Sequence, residues 1–502
     1  MWPVWTLEEA RAADRMAQDE GVPFAGLLSV AGFQLARFLT RENPQGPLVV
    51  LAGPGANGGD GWVAARHLAR YFPVTVVPVA EPRFLGADGW VRAARQNGVE
   101  VVSGREAEER VQQAALVVDA IFGTGFHGSV ADSVAGPWLR LLAGSGVPVV
   151  AVDLPSGVRT DTGFYDGPSL NLSAVVTMGA AKWGLVGYPA AQMASELVVA
   201  DIGLPSRSFA NPTGAWIEPE WAAARLPRLG PLTHKYGRGH VVVIGGSRAM
   251  PGAPILAATA ALKAGAGLVE VLVPKSAVGA SFSPSLIVHR LPETPTGELC
   301  WSVELRQLAQ RADALVVGPG LGRGVSPELL AGLLALAKPT VVDADGIRLI
   351  KQLKMPLPKN WVLTPHSGEL AALLDRDASS INADRRGSVL EATSWLKCPL
   401  LLKGRFSLIG DGSHIWVNPT GGPELATAGS GDVLSGMVAR LMASGLEPGD
   451  ALALAAYWHG WAGQLGEQAE GLSLTSDTLI SWIGAAAKAI EEMRHPRSIR
   501  MW

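Results

Sequence analysis

The sequence predicts an α/β protein of two domains, each a parallel sheet between layers of helices. Three observations carry this: short Val/Ile/Leu runs alternate with helix-like segments, glycine-rich loops follow the ends of those runs, and a proline-punctuated stretch interrupts the pattern midway. Fully buried parallel strands read as continuous apolar runs, and the segments between them are long enough to cross over as helices. At 502 residues the chain exceeds one ordinary core, and the usual domain size points to two.

Composition narrows the partners. Hydrophobic residues make up 48%, charged residues 17%, and the 60 glycines are scattered among apolar runs, which suits folded domains rather than disorder. A formal charge of −3 gives no pull toward a nucleic-acid backbone or an anionic membrane, so small molecules are the expected partners. Cys300 and Cys398 are far apart with no CxxC spacing, which argues against a zinc site or disulfide scaffold. The N-terminus MWPVWTLEEARAADRMA places acids and arginines where a secretion signal needs an apolar core, and no later run reads as transmembrane. A cytoplasmic protein is expected.

In the first half, strands are expected at Leu48–Ala52, 74–79, 116–121 and 147–152. The first runs into GPGANGGDG and then a helix-like WVAARHLARYF, so Gly53, Gly55 and Gly58 satisfy GxGxxG. With Glu81 after the next strand, a Rossmann-like three-layer αβα domain binding a dinucleotide pyrophosphate is one reading, and with it a nicotinamide-dependent dehydrogenase. The polar pair Asn57 and Asp60 inside the loop is more than such a turn requires. Asp119 leads into IFGTGFHGS, and Asp153 and Ser156 lie in DLPSG, each after a strand. Loops at the carboxyl ends of neighbouring strands converge on one crevice, where Asn57, Asp119 and Ser156 offer oxygen ligands to a hard cation, monovalent or divalent. The plainer alternative is that Asp119 and Asp153 cap turns.

NGGDG, VDAIFGTG and DLPSG, in this order, resemble the epimerase domain of the NAD(P)H-hydrate repair enzymes, which interconvert the R and S hydrates of NADH and NADPH. The resemblance implies that Ala56, Asn57, Gly58, Gly59 and Asp60, with Gly123, Thr124, Gly125, Phe126, His127, Gly128 and Ser129, line the hydrate site. It implies that Asp153 is the functional carboxylate and that Asn57, Asp119 and Ser156 hold potassium. The family usually has Asn where this chain has Ala56.

The stretch 203–239 carries prolines at 205, 212, 219, 227 and 231 with little sustained apolar periodicity, and reads as a linker region. After it come expected strands at His240–Ile244, 268–273, Ala314–Val317, Thr340–Val342, Trp361–Leu363 and Leu400–Leu402. Domains are therefore expected at 1–210 and 230–502, joined by a linker at 211–229. Most loops of the second half directly follow a strand: GGS, GPGLG, DADG, TPHSGE and LKG. The most informative stretch is ATAGSGDVLSG at 426–436, a glycine-rich turn that carries Asp432 onto the start of an apolar, helix-like segment. Unsatisfied N–H groups at a helix N-terminus attract a phosphoryl oxygen, and Gly429, Ser430 and Gly431 let it approach. A carboxylate beside such a site makes sense as a base that takes a proton from a hydroxyl. Standing alone, Asp432 reads equally as a cap, His366 as a turn histidine and Lys403 as a solvated strand end.

The ordered set resembles the ADP-dependent NAD(P)H-hydrate dehydratases, a ribokinase-like fold, across 230–490, and with the first half it resembles the bifunctional repair enzymes. The resemblance implies hydrate contacts at Ala253, Gly322, His366 and Asp432, and nucleotide contacts at Lys403, Gly404, Arg405, Phe406, Ser407 and Gly431. It implies ADP as phosphoryl donor with Mg²⁺, NADHX and NADPHX as substrates, and a homo-oligomer. The family commonly has a small residue and Thr after LKG, where this chain has Arg405, Phe406 and Ser407. The rival readings are a ribokinase-like small-molecule kinase, which needs the same anion loop and base, and a non-catalytic nucleotide sensor.

Overall fold

Every apolar run assigned to a strand forms one in the computed structural model, which describes residues 2–277, 283–353, 355–494 and 499–502. The chain forms two compact units, residues 2–215 with 497–502, and residues 216–496. In the first, eight parallel strands follow the order Ile499–Met501, Ala194–Ala200, Leu172–Met178, Val149–Val152, Leu116–Ala120, Leu48–Ala52, Val74–Pro78, Glu100–Val101. Leu48–Ala52 is fully buried and lies between Val74–Pro78 and Leu116–Ala120, so the strand order reverses beside it. Ligands in open α/β sheets bind at the carboxyl ends beside such a reversal, and here the loops after Ala52 and Ala120 flank it.

In the second unit, Ile415–Val417, Leu408–Gly410 and Leu400–Leu402 form an antiparallel run. Parallel strands continue from it through Trp361–Leu363, Thr340–Val342, Ala314–Val317, His240–Ile244, Leu268–Pro274 and Ile287–Leu291. The reversal lies at His240–Ile244. The helix Ser430–Ala443 packs on Ala253–Lys263, whose alanines leave it room, and both join the core below the sheet.

Two boundaries differ from those expected. The 211–229 segment is built into structure: it contains the helix Pro219–Arg225, and Ile217, Ala222 and Leu226 are buried in the second unit's core. Its prolines misled because Pro219 occupies a helix N-terminus, where a missing N–H costs nothing. The second unit also stops short of 502, because Ile499–Met501 pairs in parallel with Ala194–Ala200 of the first. Among the described residues, no single helix is long and apolar enough to cross a membrane.

Two candidate active sites

The first unit holds a cavity of about 390 Å³ at the carboxyl ends of its central strands. Of the residues expected there, Ala56, Asn57, Asp60, Gly123, Thr124, Gly125, Phe126 and Asp153 line it. Gly58 and Gly59 do not: a Cβ on Gly58 would come within 1.9 Å of the Gly53 carbonyl oxygen, and one on Gly59 within 2.9 Å of Leu28. These glycines let the helix Ala56–Leu68 pack against its surroundings, as does Gly53, where a Cβ would lie 1.8 Å from the Ile121 oxygen. His127 and Gly128 are exposed and, with Ser129, lie outside the lining.

Asp153 has a left-handed backbone, φ +64°, uncommon outside glycine. Its Oδ1 accepts from Lys182 Nζ at 2.5 Å, Thr177 Oγ1 at 3.1 Å and the Met178 N–H at 3.3 Å. Lys182 is almost wholly buried and lines the same cavity. Asp60 and Asp14 face it as well. Burial first, then the Asp153 charge, pushes the Asp60 carboxyl well above the usual carboxylate range. Burial also raises Asp14, against the pull of Lys182.

Asp119 and Ser156 are brought together beneath the lining: the Ser156 hydroxyl donates to Asp119 Oδ1 at 2.5 Å and its N–H to Oδ2 at 2.9 Å. Burial nonetheless raises the Asp119 carboxyl. Asn57 is buried with neither its Oδ1 nor its Nδ2 hydrogen-bonded, although buried carboxamides are normally satisfied.

The second unit holds a larger cavity, about 620 Å³, lined by Ala253, His366 and Asp432 as expected. Gly320 rather than Gly322 is the glycine of GPGLG in its wall; the Gly322 N–H is bonded to Asp345 Oδ2 at 2.9 Å. Asp432 sits in the first turn of Ser430–Ala443, after Gly429 at φ +89°. Burial, then the Asp343 charge, raises the Asp432 carboxyl to about 7. Lys403 Nζ donates to Asp343 Oδ1 at 2.9 Å and lies 4.0 Å from Glu369 Oε2. Burial alone would lower this amine; the two carboxylates outweigh it and hold it raised.

Lys403, Gly404, Arg405, Phe406, Ser407 and Gly431 lie outside the lining. Gly431 nevertheless adjoins Lys403, since a Cβ there would stand 3.1 Å from its Nζ. Phe406 turns inward at φ +52° and meets Trp216 edge-on, ring centroids 5.2 Å apart.

His366 caps the helix Ser367–Leu374: its Nδ1 accepts the N–H groups of Gly368 and Glu369 at 3.0 and 3.3 Å. An imidazole nitrogen that accepts carries no proton, so the neutral ring presents its N–H at Nε2. Three cations that sequence reasoning missed, Arg323, Arg348 and Lys351, also line the cavity. Arg348 and Lys351 are three apart on the helix Asp345–Leu353 and share a face; that spacing was the available signal.

Residues 25–184 match the family described as YjeF-related protein N-terminus, and residues 241–484 the family described as NAD(P)H-hydrate dehydratase. The chain is 37% identical to the bifunctional NAD(P)H-hydrate repair enzyme Nnr of Moorella thermoacetica, over 97% of both chains. It is 35% identical to that of Methanothermobacter thermautotrophicus, over 94% of this chain and 93% of that protein. Among solved structures, the ADP/ATP-dependent NAD(P)H-hydrate dehydratase of Bacillus subtilis, co-crystallized with ATP/Mg²⁺, aligns with a TM-score of 0.47 at 24% identity, covering 55% of this chain and 99% of that one.

Proposed function

We infer the work of the two cavities from one premise: the chain belongs to the family of bifunctional NAD(P)H-hydrate repair enzymes. It is an enzyme with two activities, epimerising the R and S hydrates of NADH and NADPH and dehydrating the S form back to the dinucleotide with ADP. The hydrate carries a hydroxyl on the ring carbon beside nitrogen, and hydroxide is a poor leaving group. Transfer of the β-phosphoryl group of ADP to that oxygen leaves AMP. The ring nitrogen's electron pair then expels phosphate to leave an iminium, and loss of a proton from the neighbouring ring carbon restores the dihydropyridine.

The observation that carries the site assignment is Asp432. It is a cavity-facing carboxyl raised to about 7, in the first turn of a 14-residue helix and close to the Lys403 amine. In this reading Asp432 takes the hydroxyl proton, and the amides from Gly429 to Gly431 balance charge on the moving phosphoryl group. Lys403, held by Asp343, stands beside them with Gly404, Arg405, Phe406, Ser407 and Gly431 as the nucleotide side. Ala253, Gly320 and the Nε2–H of His366 belong to the hydrate side, with Gly322 behind the wall on Asp345, and Arg323, Arg348 and Lys351 supply countercharge for its phosphates.

Mg²⁺ neutralises nucleotide phosphates when bound. Such a cation is held mainly by the phosphate oxygens themselves. In the first unit, Ala56, Asn57 and Asp60, with Gly123 to Phe126, surround the hydrate ring in this reading, and Asp153 is the functional carboxylate. The unsatisfied Asn57 amide and the buried Asp119–Ser156 pair fit potassium, an oxygen-seeking cation that would supply fixed positive charge. The domain assignment follows the units, epimerase in residues 2–215 and dehydratase in 216–496.

Absorbance at 340 nm tests the whole reading, after mixing the protein with both NADHX epimers, Mg²⁺ and ADP. Full recovery is expected. Recovery stopping at the S fraction would remove the epimerase assignment, and none with ADP or ATP would favour a kinase of stable alcohols.

A further inference from the structure

We propose that Lys182 is the positioning residue of the epimerisation site, fixing Asp153 so that one carboxylate oxygen is locked to the protein and the other is presented to the hydrate ring. The proposal rests on Asp153 being that site's functional carboxylate.

An ammonium has three protons, and all three of Lys182 find acceptors: Asp153 Oδ1 at 2.5 Å, Met178 O at 2.8 Å and Thr177 Oγ1 at 3.2 Å. None is left for substrate, so Lys182 acts through Asp153 rather than on the ring. Asp153 is satisfied on one side only. Oδ1 also takes the Thr177 hydroxyl and the Met178 N–H, whereas among the described residues none donates to Oδ2. That free oxygen and Asn57 Oδ1 lie beside Gly123: a Cβ there would be 3.0 Å from the first and 3.2 Å from the second.

Oδ2 is on the side of the carboxylate left to the cavity, and Asp153 holds its place there with a left-handed backbone at φ +64°. Lys182 is itself held from behind, its strand pairing in parallel with Val4–Trp5 so that Trp5 sits opposite it. The other charged groups facing the cavity, Asp14 and Asp60, are carboxyls that burial raises, so Lys182 is the cation among the described lining residues.

The test uses the full chain without nucleotide, following interconversion of R- and S-NADHX by chromatography. Lys182→Met is expected to lower kcat about 100-fold, as a displaced reacting group does, with KM near the wild-type value. Lys182→Ala should regain turnover with added ethylammonium and not with ethanol. Should neither variant fold, Thr177→Val decides, since it removes one donor to Oδ1 and one acceptor of Lys182; a lowered kcat is expected. Wild-type kcat in the folded variants, a rise in KM alone, or equal rescue by ethanol would overturn the proposal. Asp153→Asn is the control: if it keeps full turnover, the assignment of Asp153 falls, whereas loss in Asp153→Asn with normal Lys182→Met sinks the role of Lys182 alone.

Discussion

Asp432 must give up its proton to act as a base, and its ionisation near 7 sets the pH dependence of dehydration. The kcat/KM of that step is expected to fall about tenfold per pH unit below about 7 and to level above it. Asp432→Asn should lose at least about 100-fold in turnover. The same substitution bears on stability with a definite sign. Between the ordinary carboxylate value and about 7 the folded chain holds a proton the unfolded chain has released, so this group's stabilisation fades as pH rises through that window. At pH 8 the asparagine variant, which cannot ionise, should melt higher than the parent; a lower melting point would contradict the burial argument. Gly123→Ala isolates space, because its backbone is not in the glycine-only region. It should block epimerisation while leaving dehydration of the S form intact. Asp153 and His366 were legible as cavity residues because each stands in a motif after a strand, and Asp432 because a glycine-rich turn carries it onto a helix start. Lys182, Asp14 and Arg323 were not: each is a single charge in unremarkable sequence, and only the folded backbone carries it to a cavity.

The strands read from sequence were those buried on both faces, where an unbroken apolar run leaves no second interpretation. Those it passed over have other reasons. Leu408–Gly410 and Ile415–Val417 pair antiparallel through a tight turn, outside the strand–helix alternation that revealed the others, and Glu100–Val101 is only two residues. Ala194–Ala200 begins with Ala-Ser-Glu, and Glu196 pairs with Arg500 at 2.5 Å, a partner some three hundred residues away. Helix packing was likewise invisible. Gly436 looks like an interruption of a helix, yet a Cβ there would fall 1.9 Å from the Ala257 oxygen, so its absence sets how closely Ser430–Ala443 meets Ala253–Lys263. Gly436→Ala, otherwise favourable to a helix, is expected to destabilise the second unit by at least about 2 kcal/mol, seen as a lower denaturant midpoint. An unchanged midpoint would mean the two helices can part without cost.

At the scale of the molecule, each unit places its cavity where strand order reverses, and one chain carries the epimerisation of the hydrate beside its removal. The two-domain division was readable in the mid-chain break of pattern; its position was not, because the prolines of that segment serve a helix start and a buried edge as readily as a linker. Removing residues 495–502 should strip the strand beside Ala194–Ala200 and lower the melting transition of the first unit, with dehydration of the S hydrate retained. Equal melting of both forms by calorimetry would show that strand to be dispensable.

That last strand also has a consequence in time. On a ribosome adding about 5–20 residues per second, Ala194–Ala200 emerges on the order of 15–60 s before Ile499–Met501. The half synthesised first is therefore the half completed last, and it waits with an open β-edge of the kind that invites intermolecular pairing.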